Sequence, residues 1–161
     1  MSQTATKSVE KLLDEAKIFQ IINPRLVQAP PTLTLKEALQ LMQENKAGYI
    51  VIAEGGKAVG IFTETDVVRK ILAQAPDMSR PVRDFMTSSP LALSPQDSAG
   101  AAIDLMSSKR FYHVPLVNAQ GDLAGVLSVR TLIRFLAEHF PTEVYNLPPR
   151  PDQLMETAEG G

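Results

Sequence analysis

The chain has no cysteine. A disulfide framework, a Cys-based metal site and a thiol nucleophile are therefore excluded. Histidine is scarce: any imidazole-dependent triad would have to use His113 or His139. Charge of one sign is lacking too, with 16 Lys and Arg against 18 Asp and Glu and a net charge of −2. That balance gives no general basic field for nucleic acid or an anionic membrane. No apolar run approaches the length of a membrane-spanning helix. The first seven residues lack the apolar core of a signal peptide, so a cytoplasmic location is expected. Gly-x-Ser-x-Gly, a Walker loop and His-Glu-x-x-His are all missing, and neither histidine has a nucleophile or metal partner at a telling spacing. The expected protein is not an enzyme and carries no catalytic cofactor and no metal.

What the 161 residues do contain is a repeat. Gly60-Ile61-Phe62-Thr63-Glu64-Thr65-Asp66 is matched, with Gly125 following Gly60 by 65 residues, by Gly125-Val126-Leu127-Ser128-Val129-Arg130-Thr131. An Ala-Leu-Gln-Leu-Met run ending at Met42 precedes the first block, and an Ala-Ile-Asp-Leu-Met run ending at Met106 precedes the second. A repeat of this length sets the architecture. Each copy of about 60 residues would be marginal alone, so the copies should pack on each other. At the last position of the block they differ: Asp66 becomes Thr131.

Along the chain, Val9, Leu12, Leu13 and Ala16 mark one face of an N-terminal helix over 8–18. A short strand is expected at 26–29, stopped by Pro30-Pro31. Thr34 with Glu37 forms a capping box for a helix to about Asn45, its Ala38, Leu41 and Met42 inward. Residues 49–53 read as a buried strand, 54–57 as a hairpin turn and 58–62 as the returning strand. Thr63 caps a helix to about Ala75, ended by Pro76. After a linker at 76–81 the second copy predicts a strand at 91–93, a helix over 96–108, strands at 113–117 and 123–127 around a turn at 118–121, and a helix over 128–139. Pro141 stops that helix. The tail, 141–161, is rich in proline and expected to be extended, either as a plain, poorly ordered tail or as an arm whose Tyr145 and Leu147 dock on a neighbouring subunit.

This β-α-β-β-α order, repeated and closed each time by Gly-apolar-x-Ser/Thr-x-x-Asp/Thr, resembles the CBS domain family. The likeness covers roughly residues 8–140, with one repeat at 8–75 and the next at 81–140. The resemblance implies an α/β fold: two tandem CBS repeats related by a pseudo-twofold axis (a Bateman module), with an N-terminal helix and an extended C-terminal tail. It further implies two clefts that take adenosine-containing ligands (AMP, ADP, ATP, S-adenosylmethionine or NAD), a homodimer, and regulation of a separate protein.

The residues fit such a ligand. Thr63 and Asp66 lie three apart at a helix start, hence on one face. A carboxylate there accepts hydrogen bonds from vicinal hydroxyls, as acidic residues do with a ribose. The helix N-terminus and the Thr63 hydroxyl suit phosphate oxygens. Ile61 or Phe62 offers an apolar wall to a purine. The plainer alternative is that Asp66 only stabilises its own helix. By the resemblance, Asp66 holds the ribose, Thr63 touches ribose or phosphate, and Ala47, Gly48 and Tyr49 line the base. Arg110 and His113, from the basic cluster Lys109-Arg110-Phe111-Tyr112-His113, face the phosphates from the opposite repeat. Arg25 is a secondary candidate, whereas Arg69, Lys70, Arg130 and Arg134 read as solvated helix faces.

The second cleft, built on Thr87, Tyr112, Val126, Ser128 and Thr131, should bind more weakly. Thr131 lacks the charge for a bidentate contact. The leading reading is a sensor of AMP, ADP or ATP. The alternatives are a CBS scaffold that has lost its ligand, or a binder of S-adenosylmethionine or NAD; nucleic acid is not an expected partner. In the stripes Val67-Val68-Ile71-Leu72 and Leu132-Ile133-Phe135-Leu136 some residues must face the core, and the remainder are candidates for a dimer interface.

Overall fold

The computed structural model describes residues 2–23 and 25–139, with side chains from Ser8 onward. The expected Tyr145 and Leu147 contacts lie outside the described residues, as does the rest of the tail. In chain order the elements are α1 (Ser2–Glu15), α2 (Ile18–Ile21), β1 (Gln28–Ala29), α3 (Leu35–Asn45), β2 (Tyr49–Glu54), β3 (Lys57–Thr63), α4 (Glu64–Asp66) running on as a π-helical turn over Val67–Leu72, a 3-10 turn (Val82–Asp84), β4 (Thr87–Ser88), α5 (Ala99–Lys109), β5 (His113–Val117), β6 (Leu123–Ser128) and α6 (Val129–His139).

The two copies share their local devices. Thr34 and Ser98 both cap their helices through a side-chain oxygen that accepts an amide three residues on, from Glu37 and Ala101. Both helices end on a left-handed, non-glycine residue, Lys46 (φ 49°) and Arg110 (φ 56°). The hairpin between β2 and β3 turns through Gly55 and Gly56 with φ of 57° and 78°, the mirror-image turn that suits a twisted antiparallel pair. Each copy then leads from a strand directly into a helix. The Glu64 amide donates to the Gly48 carbonyl and the Val129 amide to the Tyr112 carbonyl, at equivalent positions.

Two hydrophobic clusters form, one per copy, and each is completed by chain from outside it. Val82 and Phe85, from the connecting segment 82–91 that opens the second copy, are buried in the first cluster with Leu35, Ile50, Ile52 and Phe62. Ala16 and Ile18, from the N-terminal strap, are buried in the second cluster with Ala102, Val114, Leu116 and Leu127. Matching bridges hold these crossings, Thr34 to Pro81 and Lys17 to Ser98. The copies are thus interlaced. Their hairpin tips also meet, through the Leu123 amide on the Gly56 carbonyl at 2.9 Å and an ion pair of Lys57 with Asp122 at 2.7 Å. Half-exposed as it is, that pair contributes at most about 1 kcal/mol.

Five elements differ from the sequence expectation. The N-terminal helix expected over 8–18 is Ser2–Glu15, and Ile18–Ile21 is a separate short helix, because Lys17 is extended where it bridges to Ser98. The strand expected at 91–93 is one parallel bridge, Leu93 to Leu116. Pro90 and Pro95 bracket it, and proline lacks the donor a ladder needs. The strand that forms is β4, pairing antiparallel with β3 at Gly60–Ser88 and Ile61–Thr87 and making a four-stranded sheet β1-β2-β3-β4. Gly60 permits this approach: a Cβ there would lie 2.2 Å from Met86 Sδ. The helix after Thr63 is α-helical for three residues and then π-helical to Leu72, whereas its counterpart α6 is α-helical throughout. Helix α5 starts at Ala99 rather than 96, because Ser98 is the residue whose side chain caps it.

Candidate functional site

A cleft of about 990 Å³ opens between the two copies. From the first copy it is lined by Gly48, Ile61, Thr63, Glu64, Asp66 and Lys70; from the connector by Thr87, Ser89, Pro90 and Leu91; from the second copy by Lys109, Arg110, Tyr112, His113 and Pro115. The strand-to-helix corner at Thr63 sets Asp66 at the cleft floor. Asp66 is the only charged residue buried among the described residues, 7% exposed. Its Oδ2 accepts from the Thr63 amide at 3.0 Å and from the Thr63 hydroxyl at 3.3 Å. Its Oδ1 meets the Lys70 ammonium at 2.7 Å, and that ammonium also donates to the Phe85 carbonyl at 2.6 Å. A buried carboxylate is costly unless paired and hydrogen-bonded, and here it is both.

Across the cleft, the Arg110 side chain springs from the left-handed residue that ends α5, and His113 opens β5. The His113 ring packs on Tyr49, centroids 5.1 Å apart. Gly48 leaves the space that His113 and Glu64 use: a Cβ there would come within 3.0 Å of a Glu64 carboxylate oxygen and 3.2 Å of His113 Cε1.

Burial holds the His113 imidazole below its ordinary value of 6.5, the Glu64 carboxylate opposes this, and Arg130 adds to it. A histidine whose folded value is lowered binds fewer protons folded than unfolded once pH falls below about 6.5. The folded state should therefore lose stability as pH drops through that range, and His113→Gln should flatten the loss. Urea unfolding of both proteins between pH 8 and 5 checks this.

Of the residues expected in the first cleft, the structure brings Gly48, Ile61, Thr63, Asp66, Arg110 and His113 together. Three do not line it. Phe62 is fully buried in the first cluster, because side chains alternate along β3: Ile61 and Thr63 face the cleft and Phe62 faces the core. Tyr49 stands behind His113, its hydroxyl donating to the Arg25 carbonyl at 3.3 Å. Ala47 faces an outer groove shared with Leu39, Met42 and Val68. Arg25 is also elsewhere, its guanidinium on the Asn45 carbonyl at the end of α3.

Thr87 and Tyr112, expected in the second cleft, line the first, because β4 carries Thr87 to the edge of β3. In the second block Ser128 and Thr131 satisfy one another, hydroxyl to hydroxyl at 2.9 Å, with the Thr131 amide donating to Ser128 Oγ at 3.2 Å. Val126 is buried on β6, opposite Pro115 of β5. Thr131 borders a separate cavity of about 760 Å³ against the N-terminal strap. Arg69 and Lys70, read from the sequence as a solvated face, both line the first cleft. The i, i+4 spacing of Asp66 and Lys70 was the signal that could have found the ion pair.

Comparison with known proteins agrees with this architecture. The family model for the CBS domain matches twice, at residues 18–73 and 82–138. A 17.7 kDa protein of Acidianus ambivalens is 31% identical over 123 residues, 76% of this chain and 74% of that protein. The CBS domain-containing protein YhcV of Bacillus subtilis is 29% identical over 117 residues, 73% of this chain and 83% of that one. Among solved structures, the CBS domain protein PAE2072 of Pyrobaculum aerophilum, complexed with AMP, superposes with a TM-score of 0.68 at 26% identity, covering 76% of this chain and 98% of that one. The chain belongs to the CBS domain family and carries two tandem copies of the domain.

Proposed function

We propose that this CBS pair is a regulatory module that takes an adenine nucleotide (AMP, ADP or ATP) into the cleft at Asp66 and passes its occupancy to a separate protein. The observation that carries the reading is the convergence, in one cleft, of a buried carboxylate from one repeat with Arg110 and His113 from the other. The carboxylate suits ribose hydroxyls. The Arg110 guanidinium suits phosphate, and the neutral His113 ring can donate a hydrogen bond to it. Ile61, Leu91 and Pro115 supply apolar surface for a purine. The AMP bound by the related PAE2072 pair supports the ligand class. A ligand that touches both repeats favours one relative arrangement of them, which is how occupancy biases a partner.

S-adenosylmethionine carries a cationic sulfonium and no phosphate, so the basic wall favours a nucleotide over it. In the second block the mutually satisfied Ser128 and Thr131 supply no charge, which supports weaker binding there. A homodimer is part of the proposal. Val68 and Leu72 on the π-helical turn and Ile133 on α6 are exposed, and a second copy would bury them.

Calorimetric titration of AMP, ATP, S-adenosylmethionine and NAD tests the reading. Saturable binding of AMP or ATP with weaker or no S-adenosylmethionine binding is the expected result; binding of S-adenosylmethionine alone contradicts it. Arg110 gives a sharper test. Its left-handed backbone is one that glycine adopts at no steric cost, a difference on the order of 1 kcal/mol. Arg110→Gly is therefore expected to fold at least as stably as the parent while losing about tenfold in AMP affinity through the missing charged contact. Thermal unfolding and titration of the same sample separate the two effects.

A further inference from the structure

We propose that Lys70 is a resident competitor for the ligand: its ammonium holds the free oxygen of Asp66 and tethers it to the inter-repeat connector, and nucleotide binding displaces it. The inference rests on the nucleotide reading of the cleft above.

The geometry is a three-point bridge. Asp66 Oδ2 is committed to the Thr63 corner, at 3.0 Å from its amide and 3.3 Å from its hydroxyl. That leaves Oδ1 to face an incoming pair of hydroxyls, and Oδ1 is where Lys70 Nζ sits, at 2.7 Å. The same ammonium donates to the Phe85 carbonyl at 2.6 Å. Phe85 is buried in the first repeat's cluster and lies two residues ahead of β4, the strand that brings Thr87 to the cleft. Lys70 thus joins the ligand-facing acid of the first repeat to the connecting segment that opens the second.

The neighbouring structure agrees with a movable link. Lys70 lies within the π-helical turn Val67–Leu72 that begins directly after Asp66. Such turns are rare and are found frequently at functional sites. The second repeat has neither the turn nor the pair: α6 is regular, and the positions equivalent to Asp66 and Lys70 are Thr131 and Phe135. The Lys70 side chain keeps 33% of its surface exposed, so the ammonium has a route to solvent when it leaves. A vicinal diol arriving at Oδ1 replaces one charge-assisted contact with two hydroxyl donors. Released, the ammonium no longer holds the Phe85 carbonyl, and occupancy of the cleft becomes a change at the connector.

AMP titrated into the parent protein and Lys70→Met tests this, with hydrogen exchange on both proteins free of ligand. Removing the competitor should tighten AMP binding about three- to tenfold, the range of a partly exposed ion pair. Exchange should quicken at the Phe85 and Met86 amides, which bond to the Val82 carbonyl, in ligand-free Lys70→Met. The same amides should quicken in the parent on saturation with AMP. Equal or weaker AMP binding by a folded Lys70→Met overturns the proposal, the weaker case because the ammonium would then be a ligand contact. If neither protein binds AMP, the nucleotide reading is what has failed. The tether then stands on quicker exchange at Phe85 and Met86 in Lys70→Met and falls on unchanged exchange.

Discussion

Asp66→Ala is expected to remove nucleotide binding from a protein that still folds. The carboxylate would give a ribose two charge-assisted hydrogen bonds, and losing both from a buried site lowers affinity by at least about a hundredfold. The cost to the fold is smaller and has two sources. One is the contact of Asp66 Oδ2 with the Thr63 amide at the helix start. Losses of this kind are about 1 kcal/mol. The other is the Lys70 ammonium, which loses its carboxylate partner. Asp66→Asn separates charge from capping, because its amide oxygen can still accept from Thr63. It should fold like the parent and bind AMP at an affinity between the parent and Asp66→Ala. Titration calorimetry with circular dichroism on all three proteins measures this. Parent-like affinity in Asp66→Ala would move the ligand elsewhere.

Phe62→Ala is expected to have the largest effect on the fold. Phe62 is fully buried among Leu35, Ile50, Ile52 and Val82. Truncating such a phenylalanine leaves a cavity and costs about 3–5 kcal/mol, a large part of the stability of a small domain. The damage should reach the second repeat, because Val82 and Phe85 cross into this cluster from the connector that leads there. Ile61→Ala is the informative partner. Ile61 is the next residue on the same strand, and it faces the cleft. It should fold with a lesser loss of stability and bind AMP several-fold more weakly, having lost apolar wall. Chemical denaturation and AMP titration of the pair check the division. If Phe62→Ala folds normally and only its binding fails, Phe62 is a ligand contact after all.

These two residues show why the fold was more legible than the site. The repeat, the Thr34 and Thr63 helix starts, the glycine turn at 55–56 and the strand at 113–117 are written in local chemistry: caps, β-branched runs and left-handed positions. The repeated Gly-x-x-Thr/Ser block pointed to Thr63 and Asp66 for the same reason. What stayed hidden depended on which pieces meet across the chain. The face of β3 that turns to the cleft is fixed by packing, so the sequence could not separate Ile61 from Phe62. Thr87 reaches the first cleft because β4 pairs with β3, and its run, 87–88, is too short to announce a strand. The Ala16–Ile18 strap completes the second core, although in sequence it stands beside the first. Lys70 read as solvated because exposure is the rule for lysine; its bond to Phe85 spans 15 residues and has no local signature.

The proposed function turns on a single nucleotide held between the repeats at Asp66. A titration of AMP into isotope-labelled protein, followed by amide chemical shifts, tests it most directly. Saturable shifts are expected from both repeats at one affinity: Gly48 and Thr63 to Asp66 on one side, Arg110 to His113 on the other, with Thr87 and Ser89 of the connecting segment moving alongside. Shifts confined to Ser128–Thr131 and the strap around Ile21–Asn23, with Asp66 unmoved, would contradict it.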